Sequence, residues 1–402
     1  MKALLPLLLA PIAWTAEPQS GLWDATVSVN KIEIPFRMEI AARGNRSHGT
    51  FFNGDARVTS TAGQFQNNAL TLQFAYYASR LEATWNGTEW VGTYYRPNKV
   101  QYPFKAHRFV PAIAGTEKIP SIAGLWDIAV KSSKGENAWR LIVRQSGAAV
   151  TGAILRVDGD TGELSGSYRD GKFVMSHFSG ARPALLEVIP KPDGSIEVMQ
   201  NKQSIYVAVR ATDARAKGLP EPTDPSRHTS VKDPTEKFRF QGLDLSGNTI
   251  TDADPRFAGK VVLLSIGGSW CPNCHDEAPF LVELDRAYRA KGLRVVLLSF
   301  EEADQLKDPT RLRAFLQKYG ITYTALLGGE PEQVRDRLPQ AVNLNTWPAT
   351  FFIGRDGRVR GVHAGFAGPA TGEEHTRLKA EVRQTVEKLL SETVSTSAAS
   401  VR

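Results

Sequence analysis

Two cysteines are the only thiols in 402 residues, and they stand two residues apart at Cys271 and Cys274. At that spacing one sulfur, as a thiolate, can attack a disulfide, and the other can resolve the mixed disulfide that forms. The stretch Ser269-Trp270-Cys271-Pro272-Asn273-Cys274 follows the apolar run VVLLSI at 261–266. A short, β-branched and leucine-rich run bounded by glycines reads as a buried strand. From Asn273 to about Lys291 the spacing turns helical, with Phe280, Leu281, Leu284 and Tyr288 on one stripe. The dithiol therefore sits where a strand hands over to a helix. Unpaired N–H groups and the positive end of the helix favour a thiolate at Cys271. Glu277 follows Cys274 by three residues on the same helical face. Its carboxylate is placed to accept or return the proton of Cys274, or to raise that thiol's pKa by repulsion. Pro279 removes a helical hydrogen bond and predicts a kink.

The sequence WCPNC, followed by Glu277 and Pro279, resembles the thioredoxin-like disulfide reductases of the TlpA/ResA type, whose pattern is WCxxCxxExP. Downstream, Trp347-Pro348-Ala349-Thr350-Phe351-Phe352-Ile353 resembles that family's cis-proline loop and following strand, and Asp356-Gly357 its hairpin. The resemblance runs from about residue 238 to the last amphipathic helix. It implies an α/β thioredoxin fold over 237–392, with Cys271 as nucleophile, Cys274 as resolving thiol and Glu277 as proton-handling group. It also implies a cis bond before Pro348 and a loop that pairs with an extended substrate through main-chain groups. Trp270, Trp347 and Pro348 are then the substrate contacts. Trp347 departs from the family, where a small or β-branched residue is usual. Implied partners are disulfide-containing proteins such as oxidised apocytochromes, with a membrane thiol transporter as reductant. No cofactor is implied.

The same residues with His275 also fit C-x-x-C-H, the signature of covalent haem attachment, which needs His275 as an axial ligand. The strand before the motif and the glutamate and proline after it favour the redox dithiol. On that reading His275 is a solvated residue of the first helical turn. Two cysteines and seven scattered histidines do not make a zinc site.

The elements around the motif follow the same logic. LRVVLLSF at 293–300 is a second buried strand, giving a βαβ unit. A hairpin is expected at 238–245 turning at Ser246-Gly247-Asn248, a helix at 309–319, an extended segment at 322–327 and a helix at 330–338. A hairpin joins 349–353 to 359–362, and an amphipathic helix covers 373–390.

Upstream the chain reads as all-β. Gly21-Leu22-Trp23-Asp24 recurs as Gly124-Leu125-Trp126-Asp127, and Phe65, Leu70 and Leu72 correspond to Tyr168, Phe173 and Met175. The expectation is a tandem repeat, 20–118 and 121–210, each an antiparallel sheet of five or six strands. Asn86-Gly87, Asp170-Gly171 and Asp193-Gly194 are read as its turns, the first as a two-residue type I′ hairpin. The tryptophans and tyrosines there read as core and cross-strand pairs. Residues 211–236, rich in proline and charge, read as a semi-rigid linker.

The whole is thus expected to be multidomain, an N-terminal all-β tandem repeat joined to a C-terminal α/β thioredoxin fold. Met1 and Lys2 lead a short apolar stretch that fits a signal peptide over 1–16, cleaved near Ala16, and an exported, periplasmic location. Reserving both thiols for chemistry suits that compartment. No later stretch is long and apolar enough to span a membrane, and 393–402 reads as a disordered tail. The net charge of +7 lacks a dense basic block, which argues against a nucleic-acid partner. Two alternatives stand beside the oxidoreductase. One is a peroxiredoxin-like peroxidase, whose pattern needs proline at Leu264 and threonine at Gly268. The other is a partner-binding protein whose β repeats carry the main role.

Overall fold

The structure is a computed structural model and describes residues 20–111 and 118–392. The expected leader and the expected tail lie outside the described residues. Among the described residues no helix is long and apolar enough to cross a membrane.

Alternating inward-facing apolar residues dictate the N-terminal half. In Gly21–Val29 the buried positions are Trp23, Ala25 and Val27, and in Ile32–Arg43 they are Ile34, Phe36, Met38 and Ile40. Each such strand must cover one face only. Two nine-stranded antiparallel sheets result, with matching strand orders, and in each an extra pairing closes eight strands into a ring. The ninth strand hangs outside the ring: Ala56–Thr59 in the first sheet, Gly159–Asp160 in the second.

The sheets hold more than the five or six strands expected. Several turns lack the glycine that marks a hairpin in sequence. Asn30-Lys31, Asn67-Asn68 and Asn201-Lys202 adopt positive φ instead, and asparagine tolerates this region better than most residues. Asp170-Gly171 does form a two-residue turn between the paired residues Arg169 and Lys172. Asn86-Gly87 does not. Trp85 faces Trp90, so four residues span the gap, and Asn86 Oδ1 accepts from the N–H groups of Thr88 and Glu89.

Trp23, Trp90, Tyr94 and Trp126 are buried in the two ring cores, as their reading as core residues required. The rings are also joined. Phe178 of the second packs against Phe36, Phe51 and Tyr94 of the first. Asn53 seals the junction, accepting from Phe178 N at 2.7 Å and donating to Phe178 O at 3.1 Å.

The segment read as a linker is seated rather than free. Ser230–Val231 pairs with Ala341–Val342, His228 Nε2 lies 2.7 Å from Asn345 Oδ1, and Arg215 pairs with the buried Asp127. Proline content alone hides these anchors.

The C-terminal domain is a seven-stranded sheet in the order Thr249–Thr251, Gln241–Leu243, Thr324–Gly329, Leu293–Phe300, Val261–Gly267, Ala349–Ile353, Val359–Ala364. The three central strands from Thr324–Gly329 to Val261–Gly267 are parallel and the rest antiparallel. Alternate residues of Val261–Gly267 feed two cores. Val261 and Leu263 meet the helices Pro272–Tyr288 and Glu373–Ser391, while Val262, Leu264 and Ile266 meet Phe238, Phe257 and Leu344. Burial on both faces is why this strand is apolar without alternation. The helix Pro272–Tyr288 runs on through Pro279. The expected helix at 330–338 is a 3₁₀ turn, Pro331–Gln333, followed by one α turn, Val334–Arg337.

Candidate active site

Cys271 is the N-cap of the helix Pro272–Tyr288. Its Sγ accepts a hydrogen bond from the N–H of Cys274 at 3.2 Å. One of the helix's orphan donors is thereby spent on sulfur, and negative charge that develops there is stabilised. Both cysteines are free thiols and both are buried, at 3% and 4% exposure. Burial, the neighbouring Cys271 sulfur and the Glu277 carboxylate together push the Cys274 thiol well above its ordinary range. The two cysteines are therefore chemically unequal, one poised at the helix end and the other held protonated. Gly267 lets the second sulfur seat against the strand, since a Cβ there would lie 3.1 Å from Cys274 Sγ.

Glu277 points inward, beneath the dithiol. Ser265 Oγ donates to its Oε2 at 2.7 Å and Thr350 Oγ1 to its Oε1 at 2.6 Å. Ser265 and Thr350 are register partners on adjacent strands, so the sheet presents both hydroxyls to one carboxyl. Burial raises the Glu277 pKa from 4.5 to about 7, with the two hydroxyls pulling the other way. The folded protein thus holds a proton that the unfolded chain has already released. The stability that proton contributes is complete below pH 4.5 and is lost as pH rises through 7. Glu277→Gln cannot titrate. Relative to the parent its stability should climb between about pH 4 and 8, by a difference on the order of 3 kcal/mol. Urea melts across that range check this, and parallel curves would contradict it.

A second buried network fixes the residues just before the motif. Glu301 Oε1 accepts from Ser269 N at 2.7 Å and Ser299 Oγ at 2.6 Å, and its Oε2 accepts from Ser269 Oγ at 2.7 Å. Arg311 closes the ring, with Nη2 2.6 Å from Glu301 Oε2 and Nε 2.8 Å from Ser269 Oγ. Glu301 is 0% exposed and Arg311 2%. Arg311 also pairs with Glu302, so Glu301→Ala leaves the guanidinium one carboxylate but unpairs Ser269 N and Ser299 Oγ, and should lose roughly 1–3 kcal/mol of unfolding free energy. Chemical denaturation tests it, and a loss below about 1 kcal/mol would mean the network is dispensable. Neither residue is marked in the sequence, because the pairing joins a strand end to a helix ten residues away in sequence.

Of the remaining expected residues, Trp270 and Trp347 meet edge to face with centroids 5.5 Å apart, and Trp270 Nε1 donates to Phe300 O at 2.9 Å. The Trp347–Pro348 bond is cis. Pro348 O accepts from Gly365 N at 2.7 Å, tying that loop to the segment after the last strand. The six expected residues thus converge on one end of the sheet.

His275 contradicts the expectation of a solvated residue. It is buried among Tyr77, Phe315 and Tyr319, with Nδ1 2.9 Å from Tyr319 Oη and Nε2 2.9 Å from Ser269 O. Tyr77 comes from the first ring, a neighbour that helical periodicity does not reveal. Both ring nitrogens are engaged within the protein, which argues against an axial ligand. Burial holds its pKa well below the ordinary value.

Comparison with known proteins gives the same outline. Residues 231–362 match the AhpC/TSA family. The chain is 31% identical over 160 residues to the thiol:disulfide interchange protein DsbE of Escherichia coli K12, covering 39% of this chain and 78% of that protein. It is 30% identical over 126 residues to the thiol-disulfide oxidoreductase ResA of Bacillus thuringiensis subsp. konkukian, covering 31% of this chain and 65% of that protein. A solved thiol:disulfide interchange protein of Chlorobium tepidum aligns over 40% of this chain and 99% of its own at 23% identity, with a TM-score of 0.32. Through its C-terminal domain the chain belongs to the TlpA/ResA-like family of thioredoxin-fold thiol-disulfide oxidoreductases, the family of DsbE and ResA.

Proposed function

We propose that the chain is an exported, periplasmic reductase of protein disulfides that works through the Cys271-Pro272-Asn273-Cys274 dithiol. The Cys271 sulfur attacks one sulfur of the substrate disulfide, and the other leaves as a thiolate that takes up a proton. Cys274 then attacks Cys271 while its proton passes to the Glu277 carboxylate. The second substrate sulfur departs, so two electrons have moved from the dithiol to the substrate. Trp270, Trp347 and Pro348 line the approach. A membrane thiol transporter returns the electrons. The observation that carries this reading is a helix-capping sulfur beside a second buried thiol, whose pKa burial and the nearby Glu277 carboxylate push up.

The two ring sheets are proposed as tandem copies, 20–118 and 121–210, joined through 211–236 to the reductase domain 237–392. The matching strand orders support duplication. The residues against the peroxidase alternative are Leu264, buried mid-strand, and Gly268, which stand where its pattern needs proline and threonine.

The test is turnover. With dithiothreitol as reductant, the full chain should reduce insulin disulfides faster than dithiothreitol alone. Peroxide consumption dependent on Cys271, with no gain on insulin, would overturn the proposal.

A further inference from the structure

Asn273 lies inside the motif, yet both polar ends of its side chain serve another part of the chain. Nδ2 donates to Asp158 O at 2.6 Å, and Oδ1 accepts from Arg182 Nη2 at 2.8 Å. Asp158 and Arg182 belong to the second ring. Asn273 is buried at 4% exposure, so these bonds are shielded from water.

The same turn continues along the reductase domain. Its two residues Gly159–Asp160 form the strand that hangs outside the ring on Leu155 and Arg156. Gly159 makes a parallel bridge with Phe366, and Asp160 Oδ2 accepts from Gly368 N at 2.6 Å. Arg182 also donates to Asp160 O, so one guanidinium clamps both the turn and the motif. The fit is close. Gly159 has φ +116, and a Cβ there would lie 2.4 Å from Phe366 O and 2.7 Å from Asn273 Nδ2. A Cβ on Gly365 would lie 2.3 Å from the Asp158 carbonyl carbon.

The location matters more than the fit. Residues 365–368 are tied to the cis-proline loop through the Gly365–Pro348 hydrogen bond. An extended substrate segment laid beside the dithiol would need main-chain partners on this edge. At Phe366 and Gly368 they are taken by Gly159 and Asp160. Cys271 is 3% exposed, so a bulky disulfide cannot meet its sulfur until something moves. The sheet residues around it are fixed by ladders on both sides, whereas the turn is held by a two-residue strand and a few side-chain bonds, among them Glu136 to Val157 N and Lys134 to Asp158.

Building on the reductase reading, we propose that the 157–162 turn, clamped by Arg182, is a specificity gate that occupies the substrate edge beside the dithiol. In place, it admits disulfides small enough to slip past it. Displaced, it frees the edge for a polypeptide. The second ring thereby selects substrates for a site it does not build.

The test uses the full chain with two variants that loosen the turn from opposite sides. Arg182→Ala removes the clamp, and Gly159→Ala drives the turn off Phe366. Reduction rates are compared on 2-hydroxyethyl disulfide and on insulin. Each variant should raise the insulin-to-small-disulfide ratio at least about tenfold, since Arg182→Ala loses two charge-assisted hydrogen bonds and Gly159→Ala sets a Cβ against Phe366 O. An unchanged ratio in both variants, each confirmed folded by circular dichroism, overturns the gate. A parent chain that reduces neither disulfide overturns the reductase reading instead. The gate is then judged by labelling Cys271 with a polyethylene-glycol maleimide. Labelling must still rise about tenfold in the variants relative to a small maleimide, and equal labelling rejects the gate.

Discussion

A Cys274→Ala variant should accumulate a covalent adduct with its protein substrate, and a Cys271→Ser variant should form none. The asymmetry follows from the helix end. Cys271 Sγ receives a backbone N–H and caps the helix, whereas Cys274 is held protonated by burial and by the charge around it. The first sulfur sits where the helix end stabilises the negative charge of an attacking thiolate. The second must lose a proton first, and does so only when a mixed disulfide is presented one turn away. Without Cys274 the first step still runs and the second cannot, so the intermediate persists. Non-reducing electrophoresis and mass spectrometry read the adduct directly. Turnover in Cys271→Ser should fall to the uncatalysed background, because the one thiol left, Cys274, is held protonated and has no partner thiol to close a disulfide. Adduct formation through Cys274 in that variant would reverse the two roles.

The second large effect is expected at Glu277. Its carboxyl titrates near 7 because it is buried, so it changes state within the working range of the reaction. Above that value it is ionised and can take the Cys274 proton. Below it the carboxyl is already protonated and cannot. Release of substrate from the mixed disulfide should therefore accelerate as pH rises through about 7, in proportion to the ionised fraction. Glu277→Gln retains an amide that can bond Ser265 or Thr350 but has no proton to exchange. The release rate should fall about 10²-fold at neutral pH and lose its inflection near 7. Single-turnover kinetics separate this step from the initial attack, which should change little. A variant that keeps the inflection would assign it to another group.

Much of the C-terminal domain is legible in the sequence because its strands are buried on both faces. Val261–Gly267 and Leu293–Phe300 appear as unbroken apolar runs, and their ends fall within a residue of where composition puts them. The cysteines and Glu277 stand out by their spacing, and Pro348 by the resemblance of its loop to the family's cis-proline loop. The groups that hold them are not. Ser265 and Thr350 meet Glu277 only because two strands far apart in sequence pair in one register. Arg311 finds Glu301 across a strand and a helix. The burial of His275 is not legible, because its helical position says nothing of Tyr77, which arrives from the first ring. Asn273 stands between the two cysteines, and its partners Asp158 and Arg182 come from the second ring. The full strand count of the rings is hidden for a local reason, left-handed turns made from asparagine and lysine rather than glycine. Contacts between units leave no periodic trace.

The account rests on Cys271 and Cys274 acting as one two-electron couple, and a redox titration of the full chain against glutathione tests that most directly. It predicts a single transition in which both thiols disappear together into an intramolecular disulfide, with a midpoint well below the roughly −120 mV of a strong oxidant. Loss of one thiol alone to a stable glutathione adduct, or a midpoint at or above that value, would contradict it.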